Sequence, residues 1–129
     1  MTHFASSAWL ATVLLATSAI APAAHAQAAA TTMDGVLVGP TQMTLYVFDK
    51  DTAGSGKSMC NGGCATNWPP LMAPADATPS GDWSVVTRDD GSKQWAYKGR
   101  PLYHWAKDAK PGDKTGDGML NKAWHVAKP

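Results

Sequence analysis

The sequence predicts a mainly β fold: one small antiparallel sheet domain built from two related strand–turn units, with little helix beyond the N-terminal segment. Three observations carry this expectation. From Met33 onward, short runs rich in β-branched and aromatic residues alternate with turns containing Gly, Pro, Asp and Asn. No stretch after residue 26 keeps a 3.6-residue apolar period over three turns. One seven-residue pattern occurs twice, as Leu45-Tyr46-Val47-Phe48-Asp49-Lys50-Asp51 and as Leu102-Tyr103-His104-Trp105-Ala106-Lys107-Asp108, 57 residues apart.

The N-terminal segment is of another kind. The apolar stretch from Ala8 to Ala16 continues through small residues to Ala24-His25-Ala26, with Gln27 next. A short apolar core ending in Ala-x-Ala is the signal-peptidase pattern, so residues 1–26 read as a signal peptide cleaved after Ala26. The apolar run is shorter than the roughly 20 residues needed to cross a bilayer, so no membrane span is expected after cleavage. Residues 27–32 read as a flexible leader, and residues 33–129 as a single β domain.

All the charge lies after the signal segment: 11 Lys and Arg against 10 Asp, with no Glu. Such an even mixture leaves no electrostatic footprint for nucleic acid or an anionic membrane. A monomer is expected, with an envelope protein or a small ligand as its partner.

The elements follow in order. Met33–Val38 reads as a strand ending at Gly39-Pro40, and Thr44–Phe48 as the next. Residues 50–64 are rich in Gly, Ser, Lys and Asp and read as a loop carrying both cysteines. Pro69-Pro70 removes two ladder donors and excludes a central strand there. Asp82–Thr87 and Lys93–Tyr97 read as a hairpin closed at Asp90-Gly91. After a turn at Lys98-Gly99-Arg100-Pro101, Leu102–Trp105 reads as the third strand of a meander, and Trp124-His125-Val126 as a closing strand.

In each copy of the repeated pattern, period-2 geometry puts Tyr and the second aromatic on one face and Leu with the intervening residue on the other. The Asp falls where the strand ends, where a carboxylate accepts backbone N–H bonds that hold a turn. The copies could pair about a pseudo-twofold axis. Here the chain resembles the bacterial secreted or lipoprotein repeat family defined by a Tyr-x-(Phe/Trp/Tyr)-x-x-Asp motif, present as Tyr46-Phe48-Asp51 and Tyr103-Trp105-Asp108. Cys60-Asn61-Gly62-Gly63-Cys64, Trp68-Pro69-Pro70-Leu71, Trp95-Ala96-Tyr97-Lys98-Gly99, and Pro111-Gly112-Asp113 with Trp124 extend the resemblance over nearly the whole mature chain. It implies a periplasmic or secreted location and no particular chemistry. Many members are lipidated, whereas this sequence has no Cys near the cleavage site.

Cys60 and Cys64 are the only cysteines, and an exported chain meets an oxidising compartment, so a disulfide is expected. A redox-active pair usually has a two-residue spacer and a helix N-terminus. The run into Asn67-Trp68-Pro69 does not read as such a helix. The sharper alternative is copper handling: Cys60 and Cys64, with Met59, His104 or His125, are soft ligands suited to Cu(I). Otherwise no cofactor is expected. The Asp113–Gly118 segment lacks the ligand spacing of a calcium loop. A hydrolase would need a nucleophile elbow, and Gly54-Ser55-Gly56 is not one. The expectation is therefore an exported, non-catalytic structural or binding module whose six motif residues maintain the fold.

Overall fold

The computed structural model describes Thr12 and residues 29–129. The signal-peptide reading falls outside the described residues. Among the described residues, three small antiparallel units make up the fold. Strands β1 (Thr31–Met33) and β2 (Val36–Val38) form a hairpin. Strand β3 (Tyr46–Phe48) pairs with β7 (Trp124–Val126). Strands β4 (Trp83–Thr87), β5 (Lys93–Tyr97) and β6 (Arg100–Pro101) form a meander.

Several expectations are corrected at the level of turns. The run expected as one strand, Met33–Val38, is two, because Asp34 and Gly35 both take positive φ (51° and 77°) and close a two-residue hairpin. This is the Asp-Gly turn chemistry that matches the twist of the flanking strands. The leader expected over 27–32 is tied down from Ala29: Ala29 and Ala30 are buried and Thr31 already pairs with Val38. Apolar methyl groups that reach the core hold the segment in place. The turn after β5 is shorter than expected, since Tyr97 pairs directly with Arg100. Leu102–Trp105 does not extend the meander as a strand; Tyr103 leaves it to bridge Tyr46 and Pro70. Short helical turns appear at α1 (Gly63–Asn67), which contains Cys64 where a loop was expected, and at α2 (Met119–Lys122). The latter is broken by left-handed Leu120 and Asn121 (φ 53° and 54°).

The centre of the fold is the meeting of the two repeated segments. Tyr46 N–H donates to Tyr103 O at 2.8 Å and Tyr103 N–H donates to Tyr46 O at 3.0 Å. A reciprocal pair of this kind is what an antiparallel twofold contact produces. Around it the bonds repeat in matching positions. Leu37 N–H donates to Ala127 O as Trp95 N–H does to Leu71 O, and Ala127 N–H donates to Leu45 O as Leu71 N–H does to Leu102 O. Asp49 N–H donates to Ala123 O as Ala106 N–H does to Asn67 O. Each motif strand is thus flanked by the chain that leads out of the opposite repeat's motif, so the two repeats interlock.

Period 2 sorts the side chains of the motif strands as expected. Leu45, Leu71, Leu102 and Ala127, joined by the Trp95 ring, form a mainly aliphatic core on one side, with Val47 packed against it. Tyr46, Phe48, Tyr103, Trp105, Trp68, Trp124 and Cys60 form an aromatic core on the other.

Candidate functional site

The six motif residues converge in the aromatic core. Phe48 stacks on Trp124 with ring centroids 4.3 Å apart, Trp124 on Trp68 at 3.8 Å and an interplanar angle of 3°, and Trp68 on Trp105 at 4.1 Å. The result is a four-ring column whose midpoint lies between Trp68 and Trp124. These two residues hold equivalent places in the repeats, as do Phe48 and Trp105. The motif tyrosines close the column edge-on, Tyr46 against Trp68 at 5.5 Å and Tyr103 against Trp124 at 5.1 Å. Stacked and edge-to-face pairs contribute roughly 0.5–1.5 kcal/mol each beyond the burial of their area. Gly116 fits because it has no side chain: a Cβ there would lie 2.8 Å from the Trp68 ring and 3.0 Å from Trp105.

The carboxylates act across the repeats. Tyr46 Oη donates to Asp108 Oδ2 at 2.6 Å, and Tyr103 Oη donates to Asp51 Oδ2 at 2.6 Å. Each Asp also holds its own turn, as the sequence suggested. Asp51 Oδ1 accepts from Met59 N–H at 2.6 Å, and Asp108 Oδ1 accepts from Thr115 N–H at 3.0 Å and from Thr115 Oγ1. A Tyr and an Asp five residues apart in one motif therefore serve different partners. The Tyr reaches out to the other repeat, and the Asp receives the other repeat's Tyr.

Burial, reinforced by the bond to Asp108, holds the Tyr46 hydroxyl well above the usual phenol range; burial and the bond to Asp51 do the same for Tyr103. Burial also raises the Asp51 carboxyl, against the opposing pull of Tyr103, the Met59 N–H and the Arg88 charge. A neutral phenol donating to a buried carboxylate is a structural link.

Around Asp51 lies a polar chain that sequence reading did not foresee. Arg88, buried, donates through one guanidinium nitrogen to Ser58 Oγ at 3.0 Å and to Gln94 Oε1 at 2.7 Å. Its other terminal nitrogen donates to Cys60 O and to Asn61 Oδ1. Ser58 Oγ lies 2.6 Å from Tyr103 Oη. Because the Tyr103 proton goes to Asp51, the Ser58 hydroxyl is the donor in that contact. The order Arg88 to Ser58 to Tyr103 to Asp51 follows. Gln94 Nε2 completes it by donating to Leu102 O at 2.7 Å. The only signal for Arg88 was a cation next to an Asp-Gly turn, a context that ordinarily means solvent.

Cys60 and Cys64 are disulfide-bonded, with Cα atoms 5.2 Å apart. Cys60 is buried beside the aromatic column and its carbonyl receives Arg88, so the clip joins the column to the polar chain. The residues of the copper alternative are not gathered. Met59 is 63% exposed, His125 Nε2 lies 2.8 Å from Asp49 Oδ2, and His104 belongs to the aliphatic side, near Gly39 and Leu45. Among the described residues no group of three or more His, Cys or Asp side chains is placed to hold a metal ion. Burial lowers the tendency of His104 to take up a proton.

Among the described residues no helix is long and apolar enough to cross a membrane. No curated protein and no solved structure matches the chain. A family model does match, twice, over residues 28–72 and 84–128, and each match takes in one Tyr-x-aromatic-x-x-Asp motif. With most of its length accounted for by these two interlocked copies, the chain belongs to the family described as a secreted repeat of unknown function.

Proposed function

We propose that the protein acts without catalysis, as a monomeric binding module of the cell envelope, released there by cleavage after Ala26. The observation that carries this reading is the inward commitment of the motif. Tyr46, Tyr103, Asp51 and Asp108 are buried and bonded to one another across the repeats, so the titratable groups of the motif hold the two halves together. The column and its cross-links form a rigid frame whose outer surface is left for recognition. Rigid scaffolds commonly place binding residues on their connecting loops in this way.

Incubation of the exported protein with ester, glycoside and peptide substrates tests the reading. Rates equal to those of buffer are expected. Saturable turnover that disappears in a folded point variant would overturn it.

A further inference from the structure

We propose that the open cleft beside β3, β6 and β7 binds a small amphipathic anion: a carboxylate carrying a short apolar body. The inference rests on the reading of the protein as a binding module and names the ligand class. The cleft measures about 480 Å³, within the usual range for small-molecule sites. Its apolar surface comes from the half-buried Val47 and Val126, backed by the buried core residues Leu102 and Ala127. Its rim is cationic. Lys98, Arg100 and Lys128 line it, and none of the three is paired with a carboxylate among the described residues. One acidic residue, Asp117, faces them, and its Oδ1 already accepts the Val126 N–H at 3.1 Å. His125 also lines the cleft, but its ring is held by Asp49 at 2.8 Å. Three cations against one carboxylate make a local excess of positive charge on a chain whose formal net charge is only +1.

The backbone that carries Lys98 and Arg100 is held in place. Lys98 and Gly99 take positive φ (49° and 80°) and close the two-residue turn between β5 and β6, which sets Lys98 and Arg100 on either side of the turn glycine. The turn is pinned from behind: Gly54 N–H donates to Gly99 O at 2.9 Å, and a Cβ on Gly99 would come within 2.7 Å of Gly54 N. Lys98 N–H is fixed by Asp82 O at 2.8 Å, while its ammonium stands 5.3 Å from the Tyr97 ring centroid. Such preorganisation reduces the ordering cost of binding.

The repeats also diverge at this point. The residue equivalent to Val47 is His104, which on the opposite side packs closely enough that a Cβ on Gly39 would lie 3.2 Å from its Nε2. At the cleft the same position is the smaller, apolar Val47. The lining at this position therefore differs between the repeats in size and polarity.

Titration of the 15N-labelled protein with octanoate, followed by amide chemical shifts, tests the proposal. One saturable set of shifts is expected, confined to Val47, Tyr97–Leu102 and His125–Lys128. The double variant Lys98→Gln/Arg100→Gln should bind octanoate about tenfold more weakly, as two exposed charge contacts predict, with an unchanged melting temperature. Octanol should produce weaker shifts, and sodium sulfate should fail to reproduce the shifts of Leu102 and Val126. Unsaturable shifts, shifts centred on the exposed Met59 or Met72, full reproduction of the pattern by sulfate, or undiminished binding by the double variant would each overturn the assignment. Any of these, alongside the absence of turnover, would leave the non-catalytic module standing and remove only this cleft.

Discussion

Removing one oxygen, in Tyr103→Phe, isolates the energetic content of the cross-repeat link. The ring keeps its edge-on packing against Trp124 at 5.1 Å, so the buried apolar area is nearly unchanged. What goes is the 2.6 Å bond to Asp51 Oδ2 and the acceptor for the Ser58 hydroxyl. A hydrogen bond to a charged group contributes about 1.5–3 kcal/mol, and a buried group left unsatisfied costs about 1–3 kcal/mol. Asp51 keeps only the Met59 N–H, and at 3% exposure water cannot replace the phenol without local opening. A loss of about 3 kcal/mol follows. For a domain of this size that is a downward shift of roughly 10–20 °C in melting temperature.

The pH dependence of the deficit identifies its cause. Burial already places the folded Asp51 carboxyl above its unfolded value, so the folded state takes up this proton first and stability from this group grows as pH falls toward the unfolded pKa. Without the phenol, which lowers that pKa, the window extends to higher pH. The gap between variant and parent should therefore narrow on acidification. Urea unfolding followed by tryptophan fluorescence, between pH 7 and pH 4.5 without reductant, measures both effects. A deficit below about 0.5 kcal/mol, the size of an ordinary surface substitution, would refute the buried-link account. So would a deficit that widens in acid.

Other expectations follow from the same frame. Gly116→Ala should destabilise by about 1–3 kcal/mol, because the added methyl overpacks the Trp68–Trp105 stack; a thermal melt decides it, and an unchanged midpoint would mean that the column can open at that edge. Reducing Cys60–Cys64 should cost about 2 kcal/mol, the chain-entropy value for so short a loop; a loss nearer that of a long-range bridge would mean that the Arg88 contacts collapse with the clip. The folded-state pKa of His104 is depressed, so its stability is fully present above about 6.5 and is lost as pH falls through the folded value. His104→Val, which copies the equivalent Val47, should remove that component from a series of melts between pH 7.5 and pH 5. The intact mass of protein purified from the envelope without reductant should equal that of residues 27–129 less two hydrogens. A mass with free thiols and one bound copper would restore the copper alternative.

Much of this protein was readable without coordinates because it depends on local rules. Alternation along Leu45–Phe48 and Leu102–Trp105 determined which side chains share a face. Asp-Gly and Lys-Gly turns marked the hairpins, although Asp34-Gly35 went unread inside an apolar run. The spacing of Cys60 and Cys64 admitted a clip, and the recurrence of the motif announced two equivalent halves. Tertiary structure alone decided which partners those local pieces take. Nothing in the motif says that Tyr46 bonds Asp108 while Asp51 waits for Tyr103, since a hydroxyl and a carboxylate carry no address until the strands are interlocked. The same holds for Trp68 and Trp124, whose stacking depends on two separate loops returning to one axis. It holds for Arg88, which enters the interior only because Ser58, Gln94 and Cys60 O converge to satisfy it. Periodicity describes a residue's neighbours along one chain segment; contacts across segments are set by how those segments close on one another.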